Sequence, residues 1–103
     1  MSFTKFQRSV ASDAAPPADA SLALQALWHS AGQQNAAGWA EAHRLVQDDP
    51  SRDGSWVHAF LHRKEGDLGN AGYWYARAGR KMPAQNVTLE TEWAAIAAEL
   101  LAR

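Results

Sequence analysis

The sequence predicts an all-α fold, a single compact domain of four to five short helices packed as helical hairpins. Alanine, the residue with the highest helix propensity, occupies 22 of the 103 positions. Apolar residues recur at intervals of three and four, and no segment alternates with a period of two for long enough to indicate a strand. A chain of this length has room for one hydrophobic core.

Composition and charge exclude several classes of protein. The chain carries 10 basic and 11 acidic side chains, for a formal net charge of −1, so it lacks the positive charge with which proteins bind nucleic acid. It contains no cysteine, which excludes a disulfide scaffold, a thiolate nucleophile and a cysteine-ligated metal centre. No apolar run reaches about 18 residues, so neither a transmembrane helix nor a membrane partner is expected.

Residues 1–18 are expected to form a flexible N-terminal arm, and residues 19–103 the helical domain. The arm lacks the apolar segment and the cleavage site of an export signal, so a cytoplasmic location is expected. Its last residues are small and include two prolines, a composition typical of a linker. As an alternative to a flexible arm, these residues could pack on the domain or on a second subunit through the apolar side chains of Phe3, Phe6 and Val10.

Capping and breaking residues bound the first two helices. The first begins with Asp19 as its N-cap and runs to about Ala31, where Gly32 ends it. The second is capped by Asn35 and stops before Pro50, because the residue preceding a proline is driven out of the α conformation. Their apolar stripes contain Leu24, Leu27 and Trp28 in the first helix, and Trp39, Ala42, His43 and Val46 in the second.

The remaining three helices are bounded in the same way. The third runs from Ser55 as N-cap to Gly66, the fourth from Asp67 to about Lys81, and the fifth begins near Thr88. Glycines within the fourth helix allow another backbone to approach, so this helix is expected to be central. Each of the five helices carries one tryptophan, in the order Trp28, Trp39, Trp56, Trp74 and Trp93.

Five residues from Gly66 onward have the spacing of a helical repeat. Gly66, Ala71, Tyr75, Ala78 and Pro83 resemble the glycine–alanine–tyrosine–alanine–proline skeleton of a tetratricopeptide repeat or of its Sel1-like relative. The resemblance implies one TPR-like hairpin of two helices in close contact. A solenoid needs about three stacked repeats, and the preceding segment matches poorly, so a binding array is not expected.

A longer run of uncommon residue types lies at residues 56–80. It resembles the signature of a family of small proteins, W-x-H-A-[FY]-L-H-R-x-E-G-D-x-x-N-A-x-Y-W-Y, with an upstream Trp-x-x-Ala-His motif at residues 39–43. The resemblance extends over residues 24–83, and Ala76 stands where the family pattern has a basic residue. The family has no established activity, so the resemblance supports the fold boundaries and implies no mechanism.

One face of the third helix carries residues with metal-ligand chemistry. His58 and His62 are four residues apart and Glu65 follows three later, which brings them to one side of the helix. Two neutral imidazoles with a carboxylate form a reasonable face for a divalent metal, and His43 is a candidate fourth ligand. The alternatives are acid–base chemistry by His62 with Glu65 or Asp67, and a polar face of hydrogen-bonded histidines. This face points away from the apolar side of its own helix, toward solvent or another element.

Tyr73, Arg77 and Arg80 share one face of the fourth helix. Arginine forms two parallel hydrogen bonds to a carboxylate or a phosphate, and tyrosine and arginine are both enriched in interface hot spots. As an alternative, the two arginines pair with Glu65, Asp67 or another acid inside the domain. A groove between the third and fourth helices is predicted to be lined by His43, His58, His62, Glu65, Asp67, Tyr73, Arg77 and Arg80.

Two functions are compatible with these features. We expect a small helical module for protein–protein interaction that self-associates as a homodimer, because the chain has a helical hairpin, an excess of aromatic residues and no strong catalytic motif. No catalytic residue is assigned, and this function needs no cofactor. The alternative is a metal- or small-ligand-binding protein, enzymes included, that uses the groove; its cofactor would be a divalent metal ion at His58, His62 and Glu65.

Overall fold

The computed structural model describes residues 1–31 and 36–103, and these form six α-helices and no strand. The helices are α1 (Phe3–Ser12), α2 (Leu22–Ser30), α3 (Ala36–Val46), α4 (Arg52–Glu65), α5 (Leu68–Ala78) and α6 (Leu89–Leu101). The predicted all-α class is confirmed, with six helices in place of four to five. In these described ranges, no helix has both the length and the apolar character needed to cross a membrane.

The additional helix, α1, lies within the segment that was expected to be a flexible arm. Ser2 caps it by accepting a hydrogen bond from the backbone N–H of Lys5. Phe6 is fully buried, and its ring stacks on that of Trp93 in α6 with 5.8 Å between the ring centroids. Phe3 meets the same Trp93 ring edge-on at 6.2 Å, so two aromatic contacts hold α1 against the domain, which is the docking alternative.

Two helix starts differ from the sequence prediction. Ser21 caps α2 two residues after Asp19, and Ser51 caps α4 one turn before Ser55. Ser51 accepts a hydrogen bond from the backbone N–H of Gly54 at 2.9 Å, whereas Ser55 is buried inside the helix. In both cases the predicted residue has a side chain that can cap a helix N-terminus, but a serine two or four residues away is the N-cap. The predicted stop at Gly32 and cap at Asn35 lie outside the described residues.

The boundaries of α5 and α6 follow the expected chemistry more closely. Asp67 and Thr88 are the N-caps, as predicted, and Gly66 ends α4. The fourth predicted helix, however, ends at Gly79 and not near Lys81. Gly66 and Gly79 have φ angles of 89° and 70°, a left-handed conformation that favours glycine because it has no Cβ.

The central helix is α4, not α5 as predicted. It packs against α2, α3, α5 and α6, and every residue from 54 to 62 is buried. With α5 it forms a hairpin around Gly66 and Asp67. The face that bears His58 and His62 points to α3, so the second of the two expected orientations, toward another element, is the one observed.

The five tryptophans lie one on each of α2 to α6, as predicted. Three of them use the indole N–H to bond a different helix, which is how buried tryptophans usually satisfy their only donor. These bonds are Trp28 to Ser9 Oγ (3.0 Å), Trp39 to the Leu61 carbonyl (2.8 Å) and Trp93 to the Leu27 carbonyl (2.8 Å). Each bond fixes the position of one helix relative to another.

A buried carboxylate joins α4, α5 and α6. Glu92 of α6 accepts a hydrogen bond from Arg63 Nη1 at 2.9 Å and another from the Tyr75 hydroxyl at 2.5 Å. Arg63 also donates to the Val87 carbonyl in the segment that precedes α6. Burial and the adjacent carboxylate both raise the pKa of Tyr75, so the phenol stays protonated and donates.

Replacing Glu92 by alanine is expected to lower the free energy of unfolding by about 3–5 kcal/mol, because Arg63 is then left buried without its carboxylate. Urea unfolding followed by circular dichroism measures the change. Glu90→Ala, two residues away at an exposed position on the same helix, is the matched control and is expected to stay within about 0.5 kcal/mol. Equal losses in the two variants would contradict a special role for the buried network.

Candidate functional site

Three histidines from two helices meet between α3 and α4. His43 comes from the last turn of α3, and His58 and His62 from successive turns of α4. Each ring offers a nitrogen such that the three nitrogens lie within 4.8 Å of one another. The Nε2 atoms of His43 and His58 are 3.1 Å apart. The structure thus brings His43, predicted as a fourth contact, into one cluster with the other two; these three residues are called the histidine cluster below.

Local packing explains why α3 presents His43 to α4. Trp39 precedes His43 by one helical turn, and its indole N–H donates to the Leu61 carbonyl of α4. The Trp39 ring also stacks on the His43 ring, with 5.0 Å between centroids and 12° between planes. Trp39 therefore fixes both the position of α3 and the plane of the His43 imidazole.

The wall opposite His43 comes from α5. Trp74 stacks on His58 with 3.9 Å between centroids and 16° between planes. His58 and His62 are 3% and 6% exposed, so both rings are removed from bulk water, whereas His43 is only partly buried. The cluster is consequently dry on the α4 and α5 sides and reaches solvent at His43.

A carboxylate supports one of the three rings. Glu65 Oε2 lies 2.6 Å from His62 Nδ1, a short charge-assisted hydrogen bond. Because an ionised carboxylate only accepts, Nδ1 carries the proton, and the lone pair of a neutral His62 is then on Nε2. A carboxylate behind a histidine in this way is the usual support of a metal-ligating imidazole.

Burial and neighbouring charges favour the neutral forms of His58 and His43 at physiological pH. Burial, followed by repulsion from His43 and His62, lowers the pKa of His58 from 6.5 to about 4. Burial and repulsion from His62 also lower the pKa of His43, although Glu65 opposes the change. Neutral rings retain the lone pairs that bind metal ions, whereas imidazolium rings do not.

The hydrogen bonding of His58 is incomplete. Its Nδ1 atom is buried and has no partner within the described part of the chain. If Nε2 donates to His43, Nδ1 is an unpaired acceptor; if Nε2 accepts, Nδ1 carries an unpaired N–H. Either tautomer leaves one buried nitrogen unsatisfied, which is uncommon in folded proteins and calls for an explanation.

The other predicted site residues divide into two groups. Asp67 is the N-cap of α5. Together with Glu65 and His62 it forms a second set of potential metal ligands, but the carboxylates of Glu65 and Asp67 are exposed. Tyr73 accepts a hydrogen bond from Arg77, whose guanidinium lies 5.2 Å from the Trp74 ring centroid. This side of α5 adjoins the histidine cluster through Trp74.

Arg80 does not join that group. Its guanidinium forms an ion pair with Glu99 of α6 and lies over the Trp56 ring, 3.9 Å from its centroid. Arg80 therefore pairs with an acid inside the domain, which is the alternative that the sequence left open for Arg77 and Arg80. Arg80 is thus engaged by α6 and by Trp56.

Sequence reasoning did not place Trp39 and Trp74 in the site. Trp39 lies four residues before His43, so a helical wheel alone brings the two rings to one face of α3. Trp74 has no comparable signal, because its contact with His58 depends on the angle at which α5 packs on α4.

Acidification is expected to destabilise the protein through His58. A histidine with a folded pKa below its unfolded value stabilises the fold above pH 6.5, and this contribution is lost as the pH falls toward 4. Between pH 7 and pH 5 the free energy of unfolding should fall by about 2 kcal/mol more in the natural protein than in His58→Phe. Urea unfolding with a chelator present measures it, and parallel pH curves for the two proteins would refute the assignment.

Comparisons of the chain with protein-family models, with curated proteins and with solved structures found no match. The repeat-like hairpin and the signature at residues 56–80 therefore stay predictions from the sequence. Because a fold alone does not determine a function, the function has to be argued from the geometry of the site.

Proposed function

We propose that this protein binds a divalent transition-metal ion, in the first instance zinc, through His43, His58 and His62. The observation that supports the proposal is the convergence of three imidazole nitrogens within 4.8 Å of one another. Imidazole suits zinc, copper and nickel, whereas magnesium and calcium prefer oxygen ligands. The proposal realises the metal-binding alternative of the sequence analysis with a changed ligand set, and it retains the cytoplasmic location expected there.

The separation of two of the three ligand nitrogens suits a tetrahedral ion. Zinc–nitrogen bonds of about 2.0–2.1 Å place two ligand nitrogens about 3.3 Å apart in a tetrahedral complex. The Nε2 atoms of His43 and His58 are already 3.1 Å apart, and a common ion requires both rings to turn so that their lone pairs converge on it. Three protein ligands leave a fourth position for water or another small ligand.

Glu65 has a supporting role in this proposal and is not itself a ligand. Its carboxylate is engaged by His62 Nδ1, which orients the ring and raises its basicity. This differs from the sequence prediction, which gave Glu65 the third ligand position. The difference leads to distinct expectations for variants, because loss of a supporting carboxylate weakens metal binding less than loss of a ligand.

Calorimetry on metal-stripped protein is expected to show one zinc site per chain with micromolar or tighter affinity. His43→Ala and His62→Ala should abolish the site, and Glu65→Gln should weaken it by about tenfold to a hundredfold. His29→Ala is the matched control, because His29 is the remaining histidine of the chain and packs against Trp28. Cobalt(II) absorption in the visible region reports whether the site is tetrahedral.

The same titration distinguishes a specific site from adventitious binding. Affinity should fall steadily as the pH is lowered from 7 to 5, because protons compete for the imidazole nitrogens. Zinc should also raise the melting temperature of the natural protein, since a ligand that binds only the folded state stabilises it. Unaltered zinc binding by His43→Ala, or loss of binding in His29→Ala, would refute the proposed ligand set.

We also propose self-association, the function expected from the sequence, through the outer face of α5. Tyr73 is 55% exposed at the centre of this face. Gly69, Gly72 and Ala76 surround it, and a Cβ added at either glycine would meet no heavy atom within 4 Å. Small residues around an exposed tyrosine let a helix of a second copy approach, and tyrosine is enriched in interface hot spots.

Light scattering is expected to show a dimer that Tyr73→Ser converts to a monomer. Met82→Ser is the matched control, because Met82 is also a large exposed apolar residue but lies outside α5. A natural protein that is monomeric at high concentration, or a Met82→Ser variant that dissociates equally, would contradict the proposed face.

A further inference from the structure

A cavity of about 530 Å³ lies on the other side of α4 from the histidine cluster. Phe60 and Lys64 of α4 line it, and they project about 200° around the helix from His58 and His62. The remaining walls come from α1, from the end of α2 and from α6. Its volume is in the range of about 300–1,000 Å³ that is typical of small-molecule sites.

The walls of the cavity are largely apolar. Val10 contributes from α1, Phe60 from α4, and Leu89 and Trp93 from α6. The indole N–H of Trp93 is already bonded to the Leu27 carbonyl, so Trp93 presents only its apolar ring surface. These walls suit a hydrocarbon body, which gains free energy when it is transferred out of water.

One positive charge lies at this apolar surface. The Lys64 ammonium donates to the Ser30 carbonyl at the end of α2. Within residues 1–31 and 36–103 it forms no ion pair at 4.0 Å or less, although Glu90 also lines the cavity. Burial lowers the pKa of Lys64, and the carboxylate of Glu90, which is near the ammonium but forms no ion pair with it, opposes the change.

We propose that this cavity binds a small apolar monocarboxylate, whose carboxylate pairs with Lys64 while its hydrocarbon body packs on Phe60 and Trp93. A bound carboxylate supplies the direct ion pair that the ammonium does not form with Glu90. An alkyl amine would be repelled by Lys64, and a dianionic phosphate ester would meet the carboxylate of Glu90 with only one cation to offset it. A neutral alcohol would leave the ammonium without a counter-charge.

Octanoate is the probe, and octanol and octylamine of the same chain length are its controls. In a ¹H–¹⁵N NMR titration of the full chain, octanoate should shift the Trp93 indole signal saturably. Octanol should bind about tenfold or more weakly, because it forms no charge-assisted hydrogen bond. Octylamine should bind more weakly still.

Variants on the natural chain locate the carboxylate. Lys64→Met should weaken octanoate binding by about tenfold to a hundredfold, and Lys64→Arg should restore most of it. Glu90→Gln should tighten binding slightly, since it removes the opposing charge. Lys5→Met is the matched control on the exposed surface of α1 and should leave binding unchanged.

The proposal is overturned if no probe shifts the Trp93 signal saturably, if octanol binds as tightly as octanoate, or if Lys64→Met binds octanoate unchanged. Should Lys64→Met fail to fold by circular dichroism, the comparison of the three probes on the natural protein decides alone. The test is independent of the zinc titration, because the cavity shares no lining residue with the histidine cluster.

Discussion

The arrangement of the last three helices depends on one buried carboxylate. A buried charge without partners costs several kcal/mol, so α6 is stable only where Arg63 and Tyr75 both reach Glu92. Arg63 stands between His62 and Lys64 in the sequence. Fixing the direction of Arg63 therefore fixes the rotation of α4 about its axis, and with it the side to which the neighbouring residues point. The network thus positions the histidine cluster on one side of α4 and the cavity on the other.

This rotation lets one short helix serve three separate environments. His58 and His62 face α3, Arg63 faces α6, and Phe60 with Lys64 faces the cavity. In a helix of 3.6 residues per turn, His62 and Lys64 lie about 160° apart and Arg63 lies about 100° from each, so the three side chains point in separate directions. Such a division requires close neighbours on every side, which agrees with the burial of α4 along most of its length.

Features carried by neighbouring residues could be predicted from the sequence, whereas features that join distant elements could not. The caps at Asp67 and Thr88 and the stop at Gly66 follow from local backbone chemistry. The spacing of His58 and His62 establishes a shared helix face. It does not reveal that α3 covers this face, because that depends on the packing of Trp39 on α4. The helix α1 and the pairing of Arg80 with Glu99 likewise depend on contacts between segments far apart in the chain.

Two polar clusters are buried in this small fold, and they differ in how well their groups are satisfied. Around Glu92, both carboxylate oxygens accept hydrogen bonds and the donors are paired, as expected of a network retained for stability. In the histidine cluster, burial and the neighbouring rings lower the pKa values of His58 and His43, and His58 Nδ1 has no partner in the part of the chain that the structure describes. Such an unsatisfied buried group costs about 1–3 kcal/mol, a cost that apolar side chains between α3 and α4 would avoid. Proteins retain a stability cost of this kind chiefly at sites that act on something else, and a metal ion shared by His43 and His58 would bind at their facing Nε2 atoms.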